Sequence, residues 1–158
     1  MYDTLSDSSR VWIYQSSRPF SSEEETDLNG LLENFAQRWV SHNQQLLAHA
    51  LIKHHQFIIL MVDESQAGAS GCSIDKSVHF LKQLEERYEI DLFDRMTFAF
   101  EHNGAVKTAN REEFTKMYQQ GELSDETLVF NNLVKNKAEL DHGWKIPLGR
   151  SWHKRLIR

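Results

Sequence analysis

The side chains with the clearest chemical potential lie in one short segment, residues 70–75, which reads SGCSID. The segment follows a predicted strand and precedes a predicted helix, whose first turn we expect Ser73 or Asp75 to cap. Cys72 would then lie one to three residues before the helix. Unpaired backbone N–H groups and the helix dipole stabilise a thiolate at such a position, so Cys72 is a candidate nucleophile.

A catalytic interpretation adds a base to this thiol. His79 follows Asp75 by four residues and would share its helix face. Cys72, His79 and Asp75 could therefore act as nucleophile, base and orienting carboxylate. The simpler interpretation, which we favour, is a buried and unreactive cysteine beside a capping aspartate and a solvated histidine.

The same loop could instead bind a small anion, because backbone N–H groups at a helix start receive anions. A carboxylate at position 75 disfavours a highly charged ligand. The residues of this candidate ligand site are Asp63, Ser70, Gly71, Cys72 and Ser73.

Residues 57–64, FIILMVDE, have the pattern of a Walker B strand, in which a terminal carboxylate holds Mg²⁺. Such a strand needs a phosphate-binding loop, since Mg²⁺ is held largely through substrate phosphates. The nearest sequence, GCSIDKS at 71–77, lacks the second glycine and places Asp75 beside the lysine. A carboxylate there would repel phosphate, so the sequence has no Walker A motif and argues against ATP hydrolysis.

Metal and nucleic-acid binding find less support. The eight histidines and single cysteine lack the spacing of a metal site, and we expect neither a metal nor a cofactor. Arginine, lysine, tryptophan and histidine side chains cluster at 150–158 and could contact nucleic acid. The net charge of −5 nevertheless argues against a general nucleic-acid or anionic-membrane binder.

Composition indicates an ordered protein of about one domain. The chain has 158 residues, of which 11% are aromatic, too many for a disordered chain. The longest apolar run, 57–62, is far shorter than the roughly 20 residues of a membrane-spanning helix. The polar N-terminus does not resemble a secretion signal, and one cysteine permits no internal disulfide. We therefore expect a cytoplasmic protein.

Hydrophobic periodicity predicts an α+β fold with a mainly antiparallel sheet and about three helices, in the order β-α-β-β-α-β-β-α-β. Residues 1–10 are predicted to form a polar arm, and 11–158 a single domain, with subdomains 11–95 and 96–158 as the alternative. The predicted helices cover 22–41, a segment from Ser73 or Asp75 to Tyr88, and a segment from Asn110 to Gly121. The predicted strands cover 11–14, 46–52, 56–62, 96–100, 105–108 and 127–134. The strands 46–52 and 56–62 are predicted to form a hairpin, and the second of them is apolar enough to be a central strand. Asn103-Gly104 predicts a second hairpin between 96–100 and 105–108.

Five runs carry a resemblance to a known family: VWIYQS at 11–16, FIILMVDE at 57–64, SGCSID at 70–75, FNNLV at 130–134 and SWH at 151–153. They resemble a family of small Bacteroidetes proteins of unknown function, which often carry the label "ABC transporter ATPase". The resemblance covers nearly the whole chain and implies no established activity.

The C-terminal half is also similar to small GYF-like modules, which bind peptides through aromatic surfaces. The similarity comprises Asn103-Gly104, a short helix, and GELSDETLVF at 121–130. The chain departs from the pattern after Phe130, where Asn132 and a longer insertion before Trp144 replace Gly-x-x-x-Trp.

These observations together favour a non-enzymatic interaction or small-ligand-binding protein, with a protein or a small molecule as partner. The alternative is a small thiol-dependent enzyme or redox protein that uses Cys72 at a helix N-terminus.

Overall fold

The computed structural model describes residues 2–157, which contain four α-helices and three antiparallel sheets. The predicted α+β class is confirmed, with one helix more than expected. The helices are α1 Ser22–Arg38, α2 Gly71–Tyr88, α3 Arg111–Gln119 and α4 Lys137–Gly143. The strands are β1 Arg10–Gln15, β2 Val40–Ser41, β3 Gln44–Gln45, β4 Leu47–Lys53, β5 Phe57–Asp63, β6 Thr97–His102, β7 Ala105–Asn110, β8 Leu128–Phe130 and β9 Lys145–Pro147.

The chain divides into two compact units. The first takes in the chain up to Phe93 together with Lys135–Ala138. The second takes in Asp94–Val134 and the residues from Glu139 onward. Each unit has its own antiparallel sheet of three or more strands.

The sheet of the first unit has the strand order β1-β5-β4, which leaves β4 at an edge. All seven residues of β5 are buried, as expected for an apolar run in a central strand. The predicted hairpin between β4 and β5 is confirmed. His54 and His55, at its turn, both have positive φ.

Helix α1 begins where the sequence predicts. Ser21 Oγ accepts a hydrogen bond from the Glu24 amide at 3.1 Å, and Glu24 Oε1 accepts one from the Ser21 amide at 3.0 Å. This reciprocal capping box satisfies amides that the first helical turn leaves unpaired. The helix buries Leu28, Leu32 and Ala36.

Residues 2–9, within the predicted polar arm, pack against the rest of the first unit. Leu5 and Ser9 are buried. The Ser6 amide donates a hydrogen bond to Asp63 Oδ2 at 3.1 Å, and the buried Lys137 ammonium donates one to the Leu5 carbonyl at 3.2 Å.

The second unit contains a four-stranded sheet with the order β7-β6-β8-β9. Its β6–β7 hairpin turns at Asn103-Gly104, where both residues have positive φ, so the Asn-Gly prediction is confirmed. Asn110 caps α3 as predicted, and Gly121 follows the helix with a φ of 81°.

Several short elements differ from the sequence prediction. The strand expected at 127–134 covers only Leu128–Phe130, because the chain turns at Asn131 and the Val134 amide bonds the Asn131 carbonyl. The two-residue strands β2 and β3, the three-residue β9 and the seven-residue α4 were not predicted. Such short elements show no hydrophobic period that a sequence could reveal.

Among the helices of residues 2–157, none has both the length and the apolar character needed to cross a membrane.

Candidate functional site

The start of α2 differs from the prediction. Ser70, not Ser73 or Asp75, is the N-cap. Its Oγ accepts a hydrogen bond from the Ser73 amide at 3.2 Å, and Ser73 Oγ accepts one from the Ser70 amide at 2.7 Å. Because each serine hydroxyl accepts a hydrogen bond from the amide of the other, the helix begins at Gly71, earlier than a cap at Ser73 or Asp75 would place it.

Cys72 therefore lies inside the first turn of α2, and its side chain is exposed. The expectation of a buried cysteine is wrong. A Cβ added to the neighbouring Gly71 would meet no atom within 4 Å, so no close approach requires glycine there. The hydroxyls of Ser70 and Ser73 are engaged in the cap.

The structure does not bring Cys72 and His79 together. They lie seven positions apart on one α-helix, which corresponds to about 10 Å along the helix axis. His79 Nε2 lies instead 3.4 Å from the side-chain nitrogen of Gln83, one turn further on. Asp75, between them, is exposed on the same helix.

Asp63 is engaged in backbone hydrogen bonds. Its Oδ1 accepts from the Ser65 amide at 3.0 Å, and its Oδ2 accepts from the Ser6 amide. Hydrogen bonds from the side chain and amide of Ser65, and then from the Ser6 amide, lower the pKa of this carboxyl. Asp63 therefore ties the N-terminal residues to the end of β5.

Metal coordination has no ready-made site in the part of the chain that the structure describes. No group of three or more His, Cys, Asp or Glu side chains there could hold a metal ion.

A groove that the sequence did not reveal lies between α1 and the edge strand β4. It has a volume of about 430 Å³ and is called the β4 groove below. Its lining consists of Asn29, Glu33, Ala36, Gln37, Ala48, His49, Ala50, Leu51 and Ile52.

The β4 groove follows the backbone edge of β4. Five consecutive residues of the strand, 48–52, line it. Side chains alternate between the two faces of a sheet, so a groove on one face would contact only every second residue. Within residues 2–157, β4 is hydrogen-bonded to β5 alone, and its outer edge has no partner strand.

Helix α1 is held beside β4 at both ends of the groove. Near the start of the helix, Glu25 Oε1 lies 2.8 Å from His55 Nδ1, in the turn that follows β4. Near its end, the Gln37 carbonyl accepts a hydrogen bond from Gln45 Nε2, just before β4, at 2.8 Å. The helix and strand therefore run antiparallel, and the groove is preformed.

The charge of the β4 groove comes from Glu33. This exposed side chain is the single carboxylate among the lining residues, and its Oε1 lies 3.4 Å from Gln37 Nε2. His49 adds no positive charge at neutral pH, because burial lowers its pKa below the usual value of 6.5. The floor of the groove is apolar, and Leu47 at its end is 41% exposed.

A weak signal for this groove was present in the sequence. The helix face that carries Asn29 and Glu33 is polar, which indicates that it is exposed to solvent. Polar and apolar residues alternate less strictly along β4 than in a typical half-buried strand. Neither pattern shows that the two elements are neighbours.

Comparisons of the chain with protein-family models, with curated proteins and with solved structures find no match. Geometry is therefore the basis for assigning a function.

Proposed function

We propose that the protein is a non-enzymatic interaction module that binds an extended peptide segment along the outer edge of β4. The observation that carries this proposal is the outer edge of β4, which pairs with no strand of residues 2–157 and lines a preformed groove beside α1. An extended peptide can add to such an edge as a further strand. Main-chain hydrogen bonds then supply affinity, and the groove wall selects side chains.

The dimensions suit a short segment. Strand β4 has seven residues, which span about 23 Å in extended form. Ala36, Ala48 and Ala50 line the groove, and their small side chains leave room for β-branched side chains of the segment. We propose five to seven residues as the length of the bound segment.

Charge favours a basic partner. A Lys or Arg of the peptide placed opposite Glu33 would pair with an exposed carboxylate, and the chain as a whole carries a charge of −5. An acidic peptide would be repelled by both.

The remaining proposals follow from the sequence. We propose that the chain belongs to the family of small Bacteroidetes proteins that it resembles, and that it is cytoplasmic. ATP hydrolysis is no part of the proposal, since the chain lacks a Walker A motif. A thiol-dependent activity is supported by the exposure of Cys72, but His79 is two helical turns away.

Two synthetic seven-residue peptides test the peptide proposal, one alternating Lys and Val and the other alternating Glu and Val. We expect the Lys-Val peptide to shift the amide resonances of β4 saturably and to slow their hydrogen exchange. The Glu33→Lys substitution should weaken binding of the Lys-Val peptide about tenfold, because the side chain at position 33 would then repel the peptide's lysines instead of attracting them. Titration calorimetry measures the affinity.

The Glu86→Lys variant is the matched control. Glu86 is an exposed carboxylate of α2 outside the groove, so this variant changes the net charge equally. Equal weakening by both variants would show that the effect is only long-range charge. Preference for the Glu-Val peptide would contradict the proposed partner.

Backbone pairing has its own test. Alternate residues of a strand present their N–H groups to the same side, so N-methylation of one alternate set should abolish binding while the other set is tolerated. Equal tolerance of both sets would exclude strand addition. A concentration-dependent dimer protected at β4 would show that a second copy of the chain occupies this edge.

A further inference from the structure

A second cleft lies at the opposite edge of the same sheet, beside β1. It has a volume of about 510 Å³, which is within the usual range of small-molecule sites. We call it the β1 cleft, and its walls carry Ser8, Arg10, Trp12, Glu64, Lys135 and Asn136. All of these residues belong to the first unit.

The walls of the β1 cleft are held by backbone pairing. The Val11 amide donates a hydrogen bond to the Lys135 carbonyl at 3.0 Å, and Arg10 pairs with Asn136 as an antiparallel bridge. Residues 135–136 therefore cover the beginning of the outer edge of β1. A gap remains beside the Arg10 and Trp12 side chains.

Arg10 is oriented toward this gap by stacking. Its guanidinium carbon lies 4.8 Å from the centroid of the Trp12 ring. Stacking on an indole face leaves the in-plane N–H donors of a guanidinium available for an oxyanion. Arg18 and Arg87 direct theirs to Glu24 and Asp27, whereas Arg10 forms no ion pair with a carboxylate within residues 2–157.

Glu64, the carboxylate in the β1 cleft, does not form an ion pair with Arg10. Glu64 Oε2 accepts a hydrogen bond from the Ala69 amide at 2.9 Å and so closes the loop that leads to α2. Lys135 contributes a second cationic side chain to the walls. The cleft thus places two cations and one engaged carboxylate in a chain that is acidic overall.

We propose that the β1 cleft binds a small organic anion through its carboxylate or phosphate group, which the Arg10 guanidinium receives with two parallel hydrogen bonds. Carboxylate and phosphate both match the guanidinium fork. Trp12 holds the fork in place, and the body of the ligand lies along the cleft between Ser8 and Asn136.

Three ligands of similar shape test the proposal: benzoate, phenyl phosphate and the uncharged benzamide. We expect saturable shifts of the Arg10 Nε–H and Trp12 indole N–H resonances with benzoate or phenyl phosphate, and none with benzamide. The tighter of the two anions identifies the preferred group. Saturation by neither anion, or equal binding of benzamide, would overturn the proposal.

Variants of Arg10 distinguish the contribution of the planar guanidinium group from that of its positive charge. Arg10→Gln should weaken anion binding at least tenfold, and Arg10→Lys should restore only part of it, because lysine lacks the planar fork. Arg95→Gln, at an exposed arginine of the second unit, should leave binding unchanged. Equal affinity of Arg10→Gln and unmodified protein would overturn the proposal. The Glu33→Lys variant should keep full anion binding, which separates this site from the β4 groove.

Discussion

Replacing Phe114 with alanine is expected to lower the free energy of unfolding of the second unit by about 3–5 kcal/mol, because a large buried side chain leaves a cavity. Phe114 has no exposed surface. Its ring lies 5.4 Å from Phe98 and 5.8 Å from Phe100, measured between ring centroids. Phe114 thus packs α3 against the sheet. The expected loss is comparable with the whole stability of many small domains.

Urea unfolding measures this loss when each unit is followed separately. Amide exchange of β6 and β8 reports on the second unit, and that of β5 reports on the first. The control is Met96→Ala in the same unit, where a side chain that is 63% exposed should change stability by less than about 0.5 kcal/mol. A Phe114→Ala loss below about 1 kcal/mol would mean that this ring is not central to the core.

Acidification is expected to destabilise the second unit through His153. The ring is 2% exposed, stacks on Trp152 with ring centroids 3.8 Å apart, and has Nδ1 2.6 Å from Ser151 Oγ. Burial lowers the pKa of His153 from 6.5 to about 4. The histidine is therefore neutral in both the folded and the unfolded chain above pH 6.5, and its burial carries no cost from a charge in that range.

The direction of the effect follows from proton uptake. Below pH 6.5 the unfolded chain binds a proton at this histidine, whereas the folded chain does not until about pH 4. Stability is therefore lost progressively as the pH falls through this window, by up to about 3 kcal/mol. Urea unfolding of the second unit at several pH values between 7 and 4 measures the loss.

The His153→Gln variant is the control for this prediction. Glutamine retains a hydrogen-bonding side chain for the Ser151 hydroxyl and does not titrate. Its stability should therefore fall less steeply between pH 6.5 and pH 4 than that of the unmodified protein. An identical slope in both proteins would assign the acid sensitivity to other groups.

Several elements could be predicted because their signals are local. Ser21 with Glu24, and Asn110 with Glu113, cap their helices through contacts only three residues apart. Asn103-Gly104 turns its hairpin because these residues adopt positive φ readily. At α2 two local signals competed, and the Ser70–Ser73 capping box displaced the expected start at Ser73 or Asp75.

The candidate sites depended on contacts between different elements of the fold. The β4 groove exists because His55 and Gln45 meet Glu25 and Gln37, respectively, so that α1 lies along the strand. The β1 cleft exists because the chain returns at Lys135 to pair with Val11, more than 120 residues earlier. Neither the packing of α1 along β4 nor the pairing of Lys135 with Val11 leaves a periodic pattern in the sequence.

The sequence by itself determined the α+β class, the central position of β5 and the hairpin that joins it to β4, since an unbroken apolar strand must be buried on both faces. It also argues against a phosphate-binding loop beside the acidic end of β5, which stays a prediction. Only the tertiary structure decided that Cys72 is exposed, that His79 lies two turns from it, and which edge of the first unit's sheet pairs with no strand of residues 2–157. The physical reason is that local hydrogen bonds and burial select elements, whereas long-range packing selects the surfaces that those elements leave free.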